Sequence, residues 1–335
     1  MVARTQQGWQ TSTWQQELSE AFTDPIALLE ALALDPGALP APIQRSHCFP
    51  LLVPRGFAAL MRRGDPSDPL LRQVLPLALE SLPTAGFVAD PVGDADACLA
   101  PGLLQKYRGR ALLIATSACA VHCRYCFRRH FPYADGGARR ARFAGAIAAL
   151  ERAHDVDEII LSGGDPLMLD DAALAALISR LEAIPQLKRL RLHTRLPSIL
   201  PSRITDGLCA ILSDRRLQVV IVVHVNHPAE LGPEARLALS SLADLGAPLL
   251  NQSVLLRGVN DEVDTLAELS QTLVSTRVLP YYLHLLDPVS GAAHFDVPEA
   301  EARTLVTGLR ERLPGYLVPR LVREHSGEPS KSVVL

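Results

Sequence analysis

Thr116-Ser-Ala-Cys119-Ala-Val-His-Cys123-Arg-Tyr-Cys126-Phe-Arg128-Arg-His130 carries three cysteines spaced Cys-x3-Cys-x2-Cys. The apolar run Ala111-Leu-Leu-Ile-Ala115 stands directly before it, and such a run reads as a buried strand. The cysteines therefore occupy the loop leaving the carboxyl end of a strand, where α/β folds build their active sites. Thiolates hold iron–sulfur clusters, and a four-iron cubane ordinarily takes four. Three close together leave one iron open for a small molecule. Cys48, Cys98 and Cys209 are scattered and offer no fourth ligand with a motif around it. Two other readings stay open at this point. One is a zinc site completed by His122 or His130; the other is three buried thiols.

Working outward, a strand–helix rhythm begins near residue 110. Strands are expected at Arg110–Thr116, Glu158–Ser162, Arg189–Thr194, Gln218–Val225, Leu249–Leu256 and Val278–Leu285. Helices are expected at Ala138–Ala153, Asp171–Ala183, Ser202–Ser213, Pro233–Leu245 and Glu262–Ser275, with a last one at 298–312 and an extended segment at Gly315–Val322. This alternation implies parallel βαβ units. The apolar run from Gln218 is what a strand covered on both faces requires. An open doubly wound sheet and a partial barrel both satisfy the pattern. Before residue 104 the chain reads as helical and connective. Thr23-Asp24-Pro25 gives a capping residue and a first-turn proline for a helix over Ile26–Leu34, and Phe57–Arg63 and Leu70–Leu82 read as further helices.

Polar groups gather at one end of these strands. Leu161-Ser162-Gly163-Gly164-Asp165-Pro-Leu follows the second strand, and its glycines allow close backbone approach. His193-Thr194-Arg195, His224-Val-Asn226-His227, Arg257-Gly-Val-Asn260-Asp261 and His284-Leu-Leu-Asp287 end the later ones. Such clustering is the layout of an active-site mouth. Lys331, near the last residue, has no role when taken alone.

The chain of 335 residues can bury one large core, with or without a smaller subdomain. A net charge of −3 argues against a general nucleic-acid binder. No apolar run has the length of a membrane span, and Met1-Val-Ala-Arg-Thr-Gln-Gln7 lacks the apolar core of a signal peptide. A triplet that needs free thiols fits the reducing cytoplasm.

The cysteine spacing resembles the radical S-adenosylmethionine (SAM) superfamily. Six segments together resemble its lysine 2,3-aminomutase family. They are the cysteine loop, Leu161-Ser-Gly-Gly-Asp-Pro-Leu, His193-Thr-Arg-Leu-Pro, Val225-Asn-His-Pro, Asn251-Gln-Ser-Val-Leu-Leu-Arg-Gly-Val-Asn-Asp and Pro280-Tyr-Tyr-Leu. The resemblance covers about residues 104 to 331 in the family's order. It implies a radical SAM partial (β/α)6 barrel at 105–297, a helical N-terminal subdomain at 1–104 and a C-terminal helix and tail at 298–335. It implies a 4Fe-4S cluster on Cys119, Cys123 and Cys126, with SAM at the open iron and near Ser162, Gly163, Gly164, Asp165 and His224. It implies pyridoxal 5′-phosphate (PLP) attached to Lys331, its phosphate near Arg110 and Lys106. Substrate L-lysine would meet Arg128 with its carboxylate, and Asp287 and Glu324 with its ε-ammonium. The implied activity is an isomerase that moves the α-amino group of L-lysine to the β-carbon, giving (R)-β-lysine through a SAM-derived radical.

Gly327-Glu-Pro-Ser-Lys331 resembles the bacterial branch whose product modifies elongation factor P through a lysyl ligase. An electron donor for the cluster is implied as well. Two departures stand out: Glu324 replaces an aspartate, and Lys106 an arginine. The chain also stops just after Lys331, which leads to the expectation of a monomer or a different dimer. The rival readings are an aminomutase for another amino acid, such as glutamate, and a non-catalytic iron–sulfur or zinc protein.

Overall fold

The computed structural model describes residues 13–45, 49–132 and 139–335. The Met1–Gln7 stretch, Cys48 and the expected Ala138 helix start lie outside them. Four short helices precede the sheet: α1 (Trp14–Ser19), α2 (Pro25–Ala31), α3 (Arg55–Ala58) and α4 (Pro69–Arg72). Asp24 caps α2 through Ile26 N at 3.2 Å, with Pro25 in the first turn, as its sequence indicates. The helix expected over Leu70–Leu82 instead stops at α4 and resumes as a 3-10 turn at Ala78–Ser81. Pro76 lies between, and a proline cannot continue the backbone ladder.

The sheet has ten strands in sequence order. They are β1 (Cys98–Ala100), β2 (Leu103–Tyr107), β3 (Arg110–Thr116), β4 (Glu158–Gly163), β5 (Arg189–Thr194), β6 (Gln218–Val223), β7 (Leu249–Val254), β8 (Leu279–His284), β9 (Arg320–Arg323) and β10 (Ser332–Val333). β3 to β9 run parallel; β1, β2 and β10 are antiparallel additions at the two edges. All six expected strands are present, and β9 makes a seventh parallel one. The helices that follow are α5 (Arg139–Arg152), α6 (Asp171–Glu182), α7 (Leu196–Ile199), α8 (Asp206–Leu212), α9 (Pro233–Ala243), α10 (Val263–Ser275) and α11 (Glu299–Arg312). The helix expected at Ser202–Ser213 begins late because Thr205 caps α8 through Leu208 N at 3.1 Å. The architecture is an α/β partial barrel, open between its edges.

Apolar spacing dictates the packing. Leu174, Leu177, Ile178 and Leu181 recur on one face of α6 and are buried. They join a cluster with Leu161, Leu192 and Ile221 from the strands and Leu28, Leu29, Leu70 and Leu71 from the first hundred residues. The amino-terminal segment thus shares the barrel's core. Register aligns the strand ends: Thr116 lies opposite Gly163, and Thr194 opposite Val223. The polar residues that follow each strand therefore emerge at one level. Among the described residues, no helix is long and apolar enough to cross a membrane.

Candidate active site

The cysteine loop leaves β3 and is tied down by its neighbours. Gly164 N donates to Thr116 O and Asp165 N to Ala118 O, both at 2.8 Å. A Cβ on Gly164 would meet Ala118 O at 2.2 Å, and Gly163 holds φ +121 with Thr116 O at 2.5 Å from its would-be Cβ. The glycine pair is thus needed to let β4 close against the cysteine loop itself. Behind the loop, Arg124 is fully buried. Its Nε donates to Glu80 Oε1 at 2.7 Å and its Nη1 to Phe49 O at 3.0 Å. Arg129 Nη2 reaches the second oxygen of Glu80 at 2.5 Å.

Cys119, Cys123 and Cys126 are unbridged and half-buried. Burial, then the charges of Cys126 and Asp165, raises the Cys119 thiol well above its ordinary range; burial, then Cys123, raises Cys126 to about 11. Crowded thiols of which Cys119 and Cys126 resist ionisation fit a site whose thiolate charge is neutralised by a metal cluster. Among the described residues no three His, Cys, Asp or Glu side chains converge on one metal ion. Thiolates of a cubane each bind a different iron, so they stand apart. His122 Nδ1 faces Pro50 O at 2.9 Å and His130 Nε2 faces Ser290 O at 3.0 Å. Among the described residues the zinc reading thus lacks a converged ligand set.

A line of alternating charge runs from this loop to the carboxyl tail. Arg128 Nη1 donates to Ser162 Oγ at 3.3 Å, and its Nε to Asp94 Oδ2 at 2.6 Å. Asp94 Oδ1 faces Lys106 Nζ at 2.7 Å. Lys106 in turn donates to Glu324 Oε1 at 2.9 Å, and Glu324 Oε2 is paired with Lys331. β10 makes the last contact: Ser332 lies opposite Arg323, so Lys331 and Glu324 come next to each other where the hairpin opens. Gly93 (φ +66) packs beneath this hairpin, where a Cβ would meet Ser326 Oγ at 2.3 Å.

The electrostatics follow from the pairing. Burial pushes the Asp94 carboxyl up, but Arg128 and then Lys106 outweigh it and hold it below its ordinary range. Burial likewise opposes Glu324, yet Lys331 and Lys106 bring it down to about 2. Asp287 behaves oppositely: burial, reinforced by the Glu324 charge, raises it to about 7. Among the described residues its carboxylate has no hydrogen-bond or ion-pair partner.

The remaining candidates are distributed around this line. Asp165 accepts from Thr194 Oγ1 at 2.8 and 2.9 Å, Arg195 N at 2.7 Å and Leu167 N at 3.0 Å. That carboxylate braces the ends of β4 and β5. His224 stacks on Tyr125 and faces its hydroxyl through Nε2 at 3.1 Å. Arg110 lies over the Tyr107 ring, 4.5 Å from its centroid. Lys106 is bound into the charge line, and so is Arg128.

Residues 113–269 match the Radical SAM superfamily. The chain is 47% identical to the L-lysine 2,3-aminomutase of Escherichia coli (strain K12), over 95% of this chain and 93% of that one. It is 45% identical to the Haemophilus influenzae L-lysine 2,3-aminomutase, over 99% and 97%, and 38% identical to the Clostridium subterminale L-lysine 2,3-aminomutase, over 83% and 67%. The chain belongs to the L-lysine 2,3-aminomutase family of radical SAM enzymes. Membership makes it an enzyme, and the superfamily implies a 4Fe-4S cluster and SAM.

Within this aminomutase family member, the residues that sequence reading missed come mostly from the first hundred. Asp94, Glu80 and the fully buried Gln73 carry no motif, yet each holds a named site residue or the loop bearing it. Glu230, also fully buried, was hidden in a 3-10 turn after β6. An isolated polar residue in a connective stretch gives no periodic signal, so only the acidity of Asp94, Glu80 and Glu230 could have pointed to them, and nothing marks the neutral Gln73.

Proposed function

We propose that this enzyme is an L-lysine 2,3-aminomutase that uses SAM, the cluster and PLP to form (R)-β-lysine. The observation that carries the substrate assignment is Asp287. Asp287 is half-buried and its carboxylate has no hydrogen-bond or ion-pair partner among the described residues; a carboxylate partly removed from water and left unpaired is costly, and an incoming ε-ammonium would relieve it. Glu324, although already paired, adds a second negative charge on the same side. An acidic substrate such as glutamate would be repelled by both, which disfavours the rival aminomutase reading.

Cys119, Cys123 and Cys126 would hold the cluster, and Ser162, Gly163, Gly164, Asp165 and His224 would face the SAM bound beside it. Lys331 offers the amine for PLP, with Lys106 and Arg110 as the nearby cations for its phosphate. When bound, these cofactors supply the radical and the electronic path for nitrogen migration. The protein's own part is orientation. Arg128 is a rigid fork suited to a substrate carboxylate, and Asp94 fixes its angle. Asp287 receives the far end of the substrate, so the chain is stretched between two opposite charges. Placing the reacting carbons in this way is itself a large share of such catalysis.

The Glu-Pro-Ser-Lys tail supports use of the product to modify elongation factor P through its ligase, in the cytoplasm. The deciding experiment is anaerobic incubation of the protein with SAM, PLP, dithionite and isotope-labelled L-lysine. Formation of labelled (R)-β-lysine is expected. Isomerisation of another amino acid, with lysine unchanged, overturns the substrate; a colourless protein with zinc and no iron overturns the enzyme chemistry.

A further inference from the structure

Arg195, the first residue after β5, is buried and held from several sides. Its backbone N–H donates to Asp165 Oδ2 at 2.7 Å. Its Nη2 donates to Gln73 Oε1 at 2.7 Å and to Glu230 Oε2 at 3.0 Å. The guanidinium carbon lies 5.6 Å from the Tyr125 ring centroid and 6.0 Å from that of Phe57. Glu230 cannot swing away either. Its Oε1 accepts from Asn226 N at 3.0 Å, His227 N at 3.1 Å and Gln73 Nε2 at 3.1 Å. Of the rest of the fork, Nε has no hydrogen-bond partner among the described residues, and Nη1 points at a sulfur: it donates to Cys123 Sγ at 2.7 Å.

A buried Arg–Glu pair is ordinarily structural. The contact to sulfur is what sets this one apart, because it sits on a residue that would ligate the cluster. Hydrogen bonds to cluster sulfurs and nearby charge set reduction potentials. Reduction adds one electron, and no proton, to a centre whose three thiolates are already negative. A fixed cation donating to one of those sulfurs stabilises the reduced form more than the oxidised form. Glu230, on the far side of the same guanidinium, returns part of that effect.

We propose that Arg195 is a positioning residue for the iron–sulfur centre, setting its reduction potential through the Cys123 sulfur, with Glu230 as its counterweight. This rests on the assignment of a 4Fe-4S cluster to Cys119, Cys123 and Cys126. The pair makes a signed expectation: loss of the cation and loss of the counter-ion must shift the potential in opposite directions.

The test is a dithionite redox titration of the full-length protein without SAM or substrate, followed by electron paramagnetic resonance, with iron and sulfide measured in each sample. Arg195→Gln is expected to move the midpoint to more negative values at wild-type iron content. The reduced-to-oxidised ratio at the wild-type midpoint should fall roughly tenfold, about 59 mV for a one-electron couple. Glu230→Gln should move it to more positive values, and Arg195→Lys should fall between wild type and Arg195→Gln. Equal midpoints for wild type and Arg195→Gln at equal loading overturn the proposal. If Arg195→Gln does not load iron, unchanged midpoints in both Glu230→Gln and Arg195→Lys overturn it instead. Wild-type protein reconstituted without iron would sink the cluster assignment, a distinct outcome.

Discussion

Asp94 Oδ2 accepts from Arg128 Nε at 2.6 Å, which fixes the guanidinium two residues beyond Cys126, the third cysteine of the loop. The same carboxylate faces Lys106, so one acid from the amino-terminal segment sets the direction of two cations. Asp94→Asn should leave Arg128 in place but loosely aimed. The expected kinetic signature is a KM for lysine raised at least tenfold, with a smaller fall in kcat. Asp94→Ala should also lower unfolding free energy by about 3 kcal/mol, since breaking a buried pair strands its partners. Steady-state kinetics and urea denaturation read both, and an unchanged KM would remove Asp94 from this role.

Asp287 has its carboxyl raised from 3.8 to about 7. A folded-state value above the unfolded one contributes stability below about pH 4 that is lost as pH rises through 7. At pH 8 the ionised form costs roughly 4 kcal/mol by that linkage. Asp287→Asn should therefore raise the Tm at pH 8 and change it little at pH 4, while abolishing lysine turnover. Equal Tm shifts at both pH values would contradict the half-buried, unpartnered carboxylate.

Glu324 works in the other direction. Its folded value of about 2 lies below the ordinary 4.5, so its stabilisation is present above pH 4.5 and lost as pH falls toward 2. Its size is roughly 3 kcal/mol. Glu324→Gln should lower stability near pH 6 and make the acid limb of the stability curve shallower. Denaturation midpoints between pH 3 and 6 check this.

Gly164→Ala should disturb the cysteine loop rather than the strand, because the added methyl meets the Ala118 carbonyl at 2.2 Å. The expected result is a folded protein, judged by circular dichroism, with iron content reduced several-fold after reconstitution. Full loading would show that the backbone yields there.

Lys331→Ala should abolish the visible absorbance that PLP gives on covalent attachment while leaving iron and sulfide at wild-type levels. It also frees Glu324 from one partner. Retention of the band would place the attachment on another amine.

The barrel was legible because its strands are short apolar runs and its helices carry 3.6-residue periodicity; β5, for example, begins and ends at the expected residues. β1, β2 and β10 were not, since edge strands of two to five residues have too few side chains to show a period. The cysteine loop and Lys331 could be found because motif spacing survives in one dimension. Asp94, Gln73 and Glu230 could not, because their importance lies in contacts between distant parts of the chain.

That distance has a kinetic side. Gln73 and Glu230 are 157 residues apart, and Lys106 and Glu324 are 218 apart. Contacts of such separation carry the largest loop-closure entropy and form late, after adjacent βαβ units have already paired. A partly folded chain would thus possess strands and helices but no charge line joining cysteine loop to lysine. Radical chemistry, which is hazardous when its source and target are loosely held, would be confined to molecules that have finished folding.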